Sequence, residues 1–268
     1  MQERPLRYYR TTGLTLTQMQ ELACRVQGAL AEPWNKRTGR PRSCGLYAAV
    51  EIACMYLRQN ITQEVLGDLR DVSQSTISRI VTALVPTVKA VLEEFVPDAK
   101  DAIEVVSGRV CLVDGTITPC WSYEDHGELW SRKKSTTGFS AQLVCLLDGD
   151  PVFISDALPG STHDATAYER TPVKKIVQSS GGGIADKGYQ GTGMITPRKK
   201  PKGGELGRMD KECNAEISAL RAPVERVIAH FKSWRILHTD YRRPYSTYQD
   251  AYDAARALFF FSLIWGLE

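Results

Sequence analysis

Three acidic residues occupy positions where a purely structural role suits an acid poorly. Asp114 interrupts an apolar run, residues 111–117, whose composition favours a β-strand. Asp186 directly follows the short apolar segment 184–185 and opens into a glycine-containing loop. Glu225 lies beside the apolar stripe of a predicted helix. If these carboxylates meet in the fold, their hard oxygen atoms suit Mg²⁺ or Mn²⁺ and therefore phosphate chemistry.

Each of these acids also has a plain structural explanation that the sequence leaves open. Asp114-Gly115 is a common hairpin turn, Asp186 suits a loop or a cap, and an acid on a helix is usually solvated. A competing zinc site is disfavoured because the seven cysteines are widely spaced and form no C-x-x-C pair. Their odd number also disfavours a disulfide framework and fits a reducing cytosol.

The elements that must position the acids lie after residue 104. The pattern predicts strands over residues 110–118, 139–147, 151–158, 184–185 and 194–196, and helices over residues 163–178, 210–234 and 248–266. Pro223 should kink the second of these helices or mark a new first turn. This order predicts a mixed α/β domain over residues 105–268. In a ribonuclease-H-like sheet, the first and fourth strands are neighbours, and all three carboxylates would converge on one edge.

Residues 1–104 are predicted to form a small helical domain. Helices are expected over residues 15–30 and 44–57, and a linker or helix end over residues 93–104. Between them, residues 62–85 have the pattern of a helix-turn-helix, with Thr62 and Ser73 as the two N-caps. The outward face of its second helix offers the polar residues that base reading in a DNA major groove needs: Gln74, Ser75, Thr76, Ser78 and Arg79. A structural αα-hairpin is the alternative.

The overall charge is only +3 over 268 residues, so any nucleic-acid surface must come from local basic segments. The segment 132–134 contributes Lys133 and Lys134, and the glycine-rich loop 198–211 contributes Lys199 and Lys200. Residues 36–42 resemble a minor-groove arm. We interpret these segments as phosphate contacts, with solvated basic loops as the alternative.

Several other features favour ordinary structural roles. The longest apolar stretch, residues 257–267, is too short to cross a membrane and predicts a buried C-terminal helix, so no membrane partner is expected. Trp121, Trp130 and Trp234 could stack on bases, but core positions are favoured for each. Asp164 suits either an accessory site residue or a first-turn helix acid, and the second role is slightly favoured.

Four segments carry a resemblance to a known family. They are Val113–Thr116, Leu158–Asp164, Ala185–Tyr189, and Arg221–Arg226 followed by Phe231-Lys232. In order and spacing, residues 108–237 resemble the catalytic domain of DDE transposases, in the group that joins bacterial insertion-sequence transposases to Harbinger-type enzymes. Residues 37–87 resemble the helix-turn-helix that precedes this domain in such proteins.

The resemblance implies a ribonuclease-H-like mixed sheet flanked by helices, with Asp114, Asp186 and Glu225 as catalytic and metal-binding residues. It implies two Mg²⁺ or Mn²⁺ ions, with Asp114 bridging both, and two successive reactions on double-stranded DNA: cleavage at transposon ends and joining of the 3′-OH to target DNA. A homodimer on DNA is expected, since two ends must be brought together, in the cytoplasm at the bacterial nucleoid. The alternatives are an inactive or domesticated DNA-binding protein and a structure-selective metal-dependent nuclease.

Overall fold

The computed structural model describes residues 8–35 and 42–265, so most of the segment 36–42 discussed above lies outside the described residues. The chain forms two compact units. One comprises Met1–Val96 together with Lys232–Glu268, and the other comprises Pro97–Phe231. This division differs from the predicted domains 1–104 and 105–268, because the C-terminal segment packs with the N-terminal helices.

Eleven α-helices lie in the described part of the chain. Their bounds are α1 Tyr8–Thr12, α2 Leu16–Ala29, α3 Leu46–Gln59, α4 Gln63–Arg70, α5 Gln74–Leu92, α6 Ala99–Val106, α7 Asp164–Arg170, α8 Val173–Gln178, α9 Arg208–Leu220, α10 Ala222–Phe231 and α11 Tyr248–Ile264. Within the described residues, none of the helices is long and apolar enough to cross a membrane.

The helical unit is built from α1–α5 and α11. The side chains of Thr15, Thr62 and Ser73 accept hydrogen bonds from the first turns of α2, α4 and α5, which explains why these helices begin where they do. The central helix α3 is buried over most of its surface. Helix α11 packs along α5 and buries three consecutive phenylalanines, residues 259–261. This apolar contact places the C-terminal helix in the helical unit rather than beside the sheet.

Two elements of the helical region differ from the sequence-based expectation. The second helix of the helix-turn-helix was expected to end at residue 84, but α5 continues to Leu92 through Pro86. It continues because Val88 and Leu92 keep the apolar spacing and are fully buried. The linker expected over residues 93–104 instead contains α6, which Asp98 begins with a reciprocal capping box to Asp101.

The second unit contains a mixed six-stranded sheet. The strands are β1 Val110–Pro119, β2 Trp130–Ser131, β3 Thr136–Leu146, β4 Pro151–Ile154, β5 Leu158–Pro159 and β6 Gly182–Ala185. Strand β1 lies between β3, which runs antiparallel to it, and β6, which runs parallel. The short strands β2, β4 and β5 pair along the other edge of β3. The mixed sheet with flanking helices is consistent with the predicted ribonuclease-H-like α/β fold.

The structure also corrects several predicted elements of this unit. The expected hairpin strand 151–158 is split into β4 and β5, and residues 194–196 contribute only an isolated bridge from Ile195 to Ile184. The helix expected over residues 163–178 is two helices, because Pro172 cannot continue the first of them. The long helix expected over residues 210–234 ends at Leu220 and restarts at Ala222, which places Pro223 in a first turn.

Candidate active site

Asp114 and Asp186 follow paired positions of two adjacent strands. Val113 on β1 pairs with Ala185, the last residue of the parallel strand β6, and each aspartate is the next residue along the chain. Asp114 does not form a hairpin turn, since β1 runs on to Pro119 and pairs Asp114 with Leu143 of β3. The two predicted site aspartates are therefore brought together by the register of two adjacent strands.

Each of these aspartates has one oxygen held by the backbone. The amide of Gly115 donates to Oδ1 of Asp114 over 2.8 Å, and the amide of Gly188 donates to Oδ1 of Asp186 over 2.7 Å. The Oδ2 atoms of both residues contact basic side chains instead. The carboxylates are thus oriented by neighbouring backbone amides, each with one oxygen directed toward a cationic side chain.

Glu225 is connected to Asp114 through Arg221. Helix α10, which carries Glu225, contacts β1 and β3. A terminal nitrogen of Arg221 lies 2.6 Å from Oδ2 of Asp114 and 3.7 Å from Oε1 of Glu225. The Glu225 side chain is 63% exposed, whereas that of Asp114 is 12% exposed. All three predicted acids therefore belong to one region, with Glu225 at its solvent-facing side.

Burial dominates the electrostatics of Asp114. It raises the pKa of this carboxyl from 3.8 to about 7; the positive charge of Arg221 opposes the rise, and the charges of Glu225 and Asp186 add to it. A buried carboxylate surrounded by other acids is costly to ionise. The site therefore favours a bound cation beside Asp114.

Asp164 is a further acid of the same region. Its carboxylate is 14% exposed and lies 2.5 Å from the Nζ atom of Lys133, which is also 3.3 Å from Oδ2 of Asp186. Asp164 is the first residue of α7, so the first-turn position favoured from sequence is confirmed, and its carboxylate also contacts Lys133 beside Asp186. We name Asp114, Asp164, Asp186 and Glu225 the acid cluster.

Two glycines make room for Asp164. A Cβ atom on Gly115 would lie 2.7 Å from Oδ1 of Asp164. A Cβ atom on Gly188 would collide with Oδ2 of Asp164 and lie 2.8 Å from Oδ1 of Asp186. These two residues belong to the Asp-Gly and Asp-Lys-Gly segments that carry the predicted acids. Both positions require glycine because the carboxylate of Asp164 occupies the space where a side chain would lie.

A buried amide beneath the cluster ties its elements together. Gln142 on β3 is the cross-strand partner of Gly115 and is 1% exposed. Its Nε2 atom donates to the backbone oxygen of Asp164 over 3.0 Å and to the hydroxyl of Tyr189 over 3.1 Å. Its Oε1 atom accepts from Thr171 at the end of α7. Gln142 therefore fixes α7 and the turn after β6 to the central strands.

Sequence reasoning missed several of these residues. Gln142 has a visible signal, since it is a polar residue within an apolar strand, and Arg221 stands four residues before Glu225, the usual spacing of a helical ion pair. The pairing of Lys133 with Asp164 has no comparable signal. Those residues are 31 positions apart and meet only in the folded sheet.

The donor chemistry of the acid cluster fits a divalent metal ion. Its oxygen atoms are the hard ligands that Mg²⁺ and Mn²⁺ prefer, and basic side chains already contact Asp114 and Asp186. The Nε atom of Arg221 is buried without a hydrogen-bond partner in the described part of the chain. As placed, the described residues include no group of three or more His, Cys, Asp or Glu side chains around one metal position. Arg221 and Lys133 instead divide the cluster into two acid pairs.

A pocket of about 230 Å³ opens beside the cluster. Its lining includes Asp164, Lys133 and Lys134, together with Trp130. Trp130 is 48% exposed and Trp121 is 54% exposed, so the core positions favoured for them are wrong, whereas Trp234 is buried as expected. Trp130 belongs to β2, a two-residue strand at the end of the sheet order, where its side chain stays half exposed.

The predicted DNA-reading residues lie on the first turns of α5. Gln74, Ser75 and Arg79 are exposed, and Thr76 and Ser78 are half-buried. Gln74 donates a hydrogen bond to Gln63 of α4 over 2.8 Å. In the other unit, Lys199 and Lys200 are exposed in the loop before α9, as is Lys134. The loop expected over residues 198–211 is shorter than predicted because α9 begins at Arg208.

Two family models match the chain. The one described as DDE superfamily endonuclease matches residues 113–259, which include all four acids of the cluster. The one described as the helix-turn-helix of DDE superfamily endonuclease matches residues 53–94, which include α4 and α5.

Curated relatives cover most of the chain. It is 33% identical over 206 residues to the "Putative transposase for insertion sequence element IS112" of Streptomyces albus G, covering 75% of this chain and 74% of that protein. It is 27% identical over 220 residues to the "Probable transposase for insertion sequence element IS702" of Microchaete diplosiphon, covering 79% of this chain and 78% of that protein. No solved structure shows a significant match. Because family models match both residues 113–259 and the helix-turn-helix, the chain belongs to the DDE superfamily endonuclease family.

Proposed function

We propose that this protein is a transposase that cleaves DNA at the ends of a mobile element and joins the freed 3′-hydroxyl to target DNA. The observation that carries the proposal is the pairing of Val113 with Ala185, which puts Asp114 and Asp186 at adjacent positions of two neighbouring strands. Glu225 shares Arg221 with Asp114. The transposase names of the two relatives support the same activity.

Asp114, Asp186 and Glu225 are the residues that would hold divalent metal, Mg²⁺ or Mn²⁺. Two bound ions would supply activation of the attacking hydroxyl and neutralisation of charge on the leaving oxygen. The chain's own contribution is orientation, because the Gly115 and Gly188 amides each hold one oxygen of an aspartate and leave the other directed into the cluster.

The two proposed reactions balance without any further co-reactant. In cleavage, a water oxygen bonds to phosphorus, the bond from phosphorus to the 3′-oxygen breaks, and the proton lost by water is matched by one gained at the 3′-hydroxyl. In joining, the oxygen of that 3′-hydroxyl bonds to a target phosphorus, the bond from this phosphorus to the target 3′-oxygen breaks, and the leaving 3′-oxygen gains the proton that the attacking hydroxyl loses. Both steps develop negative charge on phosphate oxygens, which fixed positive charges stabilise.

DNA recognition is assigned to the helix-turn-helix and to the basic segments. Exposed Gln74, Ser75 and Arg79 would read base edges, with Thr76 and Ser78 beside them, while Lys134, Lys199 and Lys200 would contact phosphates. We propose a homodimer on double-stranded DNA, since two element ends must be held at once, and a location in the cytoplasm at the bacterial nucleoid.

The test is cleavage of a plasmid that carries the gene with its flanking DNA. With Mg²⁺, the wild-type chain should produce breaks at defined positions on both flanks and joined products in a second plasmid, and Glu225→Gln should abolish both. Binding without cleavage would indicate a DNA-binding protein that has lost catalysis. Cleavage without joined products would indicate a metal-dependent nuclease instead.

A further inference from the structure

Lys133 lies inside the acid cluster rather than on a general basic surface. Its ammonium contacts Asp164 over 2.5 Å and Asp186 over 3.3 Å, although its side chain is 51% exposed. One lysine thus connects a residue of the proposed metal site to an acid that has no role in the proposal so far. Half of the lysine side chain stays open to solvent, where a DNA strand can reach it.

Contacts other than the one with Lys133 also confine Asp164. Gln142 donates a hydrogen bond to the backbone oxygen of Asp164. Gly115 and Gly188 lie against its carboxylate, where a Cβ atom on either residue would collide with it. Because these constraints come from three different elements, the fold itself confines Asp164 to this place. A confined, largely desolvated carboxylate beside the flexible side chain of a lysine restricts where the ammonium can go.

A second ion pair nearby shows the contrast. Lys174 and Glu169 also lie 2.5 Å apart, but their side chains are 38% and 52% exposed. Such a surface pair contributes little to stability or position. Asp164 is 14% exposed, so its attraction for Lys133 is screened much less by water.

We propose that Lys133 is a catalytic residue that binds a nonbridging oxygen of the phosphodiester under attack, and that Asp164 is the positioning residue that holds it there. The inference rests on the proposed function and deepens it. When Asp186 binds a divalent ion, the contact with Asp164 keeps the ammonium in the site, where a phosphate oxygen can replace Asp186 as its second partner. The pocket lined by Lys133, Asp164 and the exposed Trp130 gives one nucleotide of the strand room beside them.

The experiment measures single-turnover cleavage of the same plasmid at saturating DNA and Mg²⁺. Lys133→Ala should lower the rate about 100-fold, the usual loss for one preorganised charge at a reacting oxygen. Asp164→Asn should lower the rate with unchanged DNA affinity. The double variant should be no slower than Lys133→Ala, because Asp164 acts only by positioning the Lys133 ammonium. The matched controls Lys174→Ala and Glu169→Gln should stay within about 2-fold of wild type.

Two results would overturn the inference while the proposed function stands. One is a Lys133→Ala rate within about 3-fold of wild type, far from the expected loss. The other is a double variant whose loss is the product of the two single losses, since Asp164 would then act independently of Lys133.

A readout without DNA separates this inference from the proposed function. If the wild-type chain cuts no DNA, the proposed function fails, and the Lys133 contact is then judged by thermal unfolding in a Mg²⁺ titration. Lys133→Ala should shift the midpoint to lower Mg²⁺ concentration, because Asp186 loses an ammonium that competes for it, and Lys174→Ala should not. Equal midpoints in both variants would reject the contact itself.

Discussion

At the scale of single residues, Asp114 gives the metal-free protein one pH-dependent contribution to stability. Burial raises the pKa of this carboxyl to about 7 in the folded chain, against an ordinary value of 3.8. The unfolded chain therefore releases this proton first as pH rises, and stability falls from about pH 4 to about pH 7. Ionising Asp114 is costly in the metal-free protein because the carboxyl is buried beside other acids, and a bound cation would reduce this cost.

Asp114→Asn should remove this part of the pH dependence. In the presence of a chelator, wild type should lose roughly 2 kcal/mol more unfolding free energy than the variant between pH 5 and pH 8, because Asn cannot ionise. Urea unfolding at the two pH values measures the difference. Parallel pH profiles for the two proteins would contradict the buried, raised-pKa carboxyl.

The same substitution tests metal binding. Mg²⁺ should raise the melting temperature of the wild-type chain, because an ion that binds the folded site alone stabilises it by mass action. Asp114→Asn should weaken this response, since one of the acids that would hold the ion is gone. Glu169→Gln, on the surface of α7, serves as the control. Identical Mg²⁺ shifts in wild type and Asp114→Asn would exclude Asp114 as a ligand.

At the scale of elements, the turn after β6 has no space for a side chain. Gly188→Ala would place a Cβ atom against the carboxylates of Asp164 and Asp186, so we expect it to cost roughly 1–3 kcal/mol and to weaken the Mg²⁺ response. Gly28→Ala in α2 meets nothing within 4 Å and should stabilise by roughly 0.5–1 kcal/mol. Melting temperatures with and without Mg²⁺ compare them. A neutral Gly188→Ala would mean that the acid cluster is looser than described.

The junction of α9 and α10 shows how an element break serves the site. The helix stops at Leu220 and restarts at Ala222, which leaves Arg221 free to turn its guanidinium toward both Asp114 and Glu225. Pro223, which a continuous helix would resist, is well suited to the first turn of α10. The predicted interruption at Pro223 is therefore confirmed, and it positions an arginine as well as the glutamate.

At the scale of the whole molecule, a net charge of +3 leaves DNA binding to local patches. Each lysine that neutralises a phosphate releases a counterion, so the double variant Lys199→Ala and Lys200→Ala should flatten the slope of log affinity against log salt by about 1–2. Arg79→Ala should instead reduce discrimination between element ends and unrelated DNA. Fluorescence anisotropy at several salt concentrations measures both. An unchanged slope in the lysine variant would show that Lys199 and Lys200 do not contact DNA phosphates.

The two-unit organisation was only partly predictable. The helical region, the helix-turn-helix and the mixed α/β region follow from periodicity and from the caps at Thr15, Thr62 and Ser73, which act within a few residues. The packing of α11 on α5 could not be predicted in this way, because the apolar pattern of a helix does not specify which element it packs against. Helix α6 was missed for a related reason: its capping box lies in a stretch whose acids and Pro97 also suit a linker.

By itself, the sequence determined the identity of the predicted acids, the strands and helices that carry them, and the order of the two regions, because these depend on short-range patterns and caps. Only the tertiary structure decided between a strand and a hairpin turn at Asp114, and showed that Asp164, Lys133 and Gln142 meet around Gly115 and Gly188. Those contacts join strands and helices that are distant in sequence. The register that creates them is set by packing of the whole sheet, which no local pattern contains.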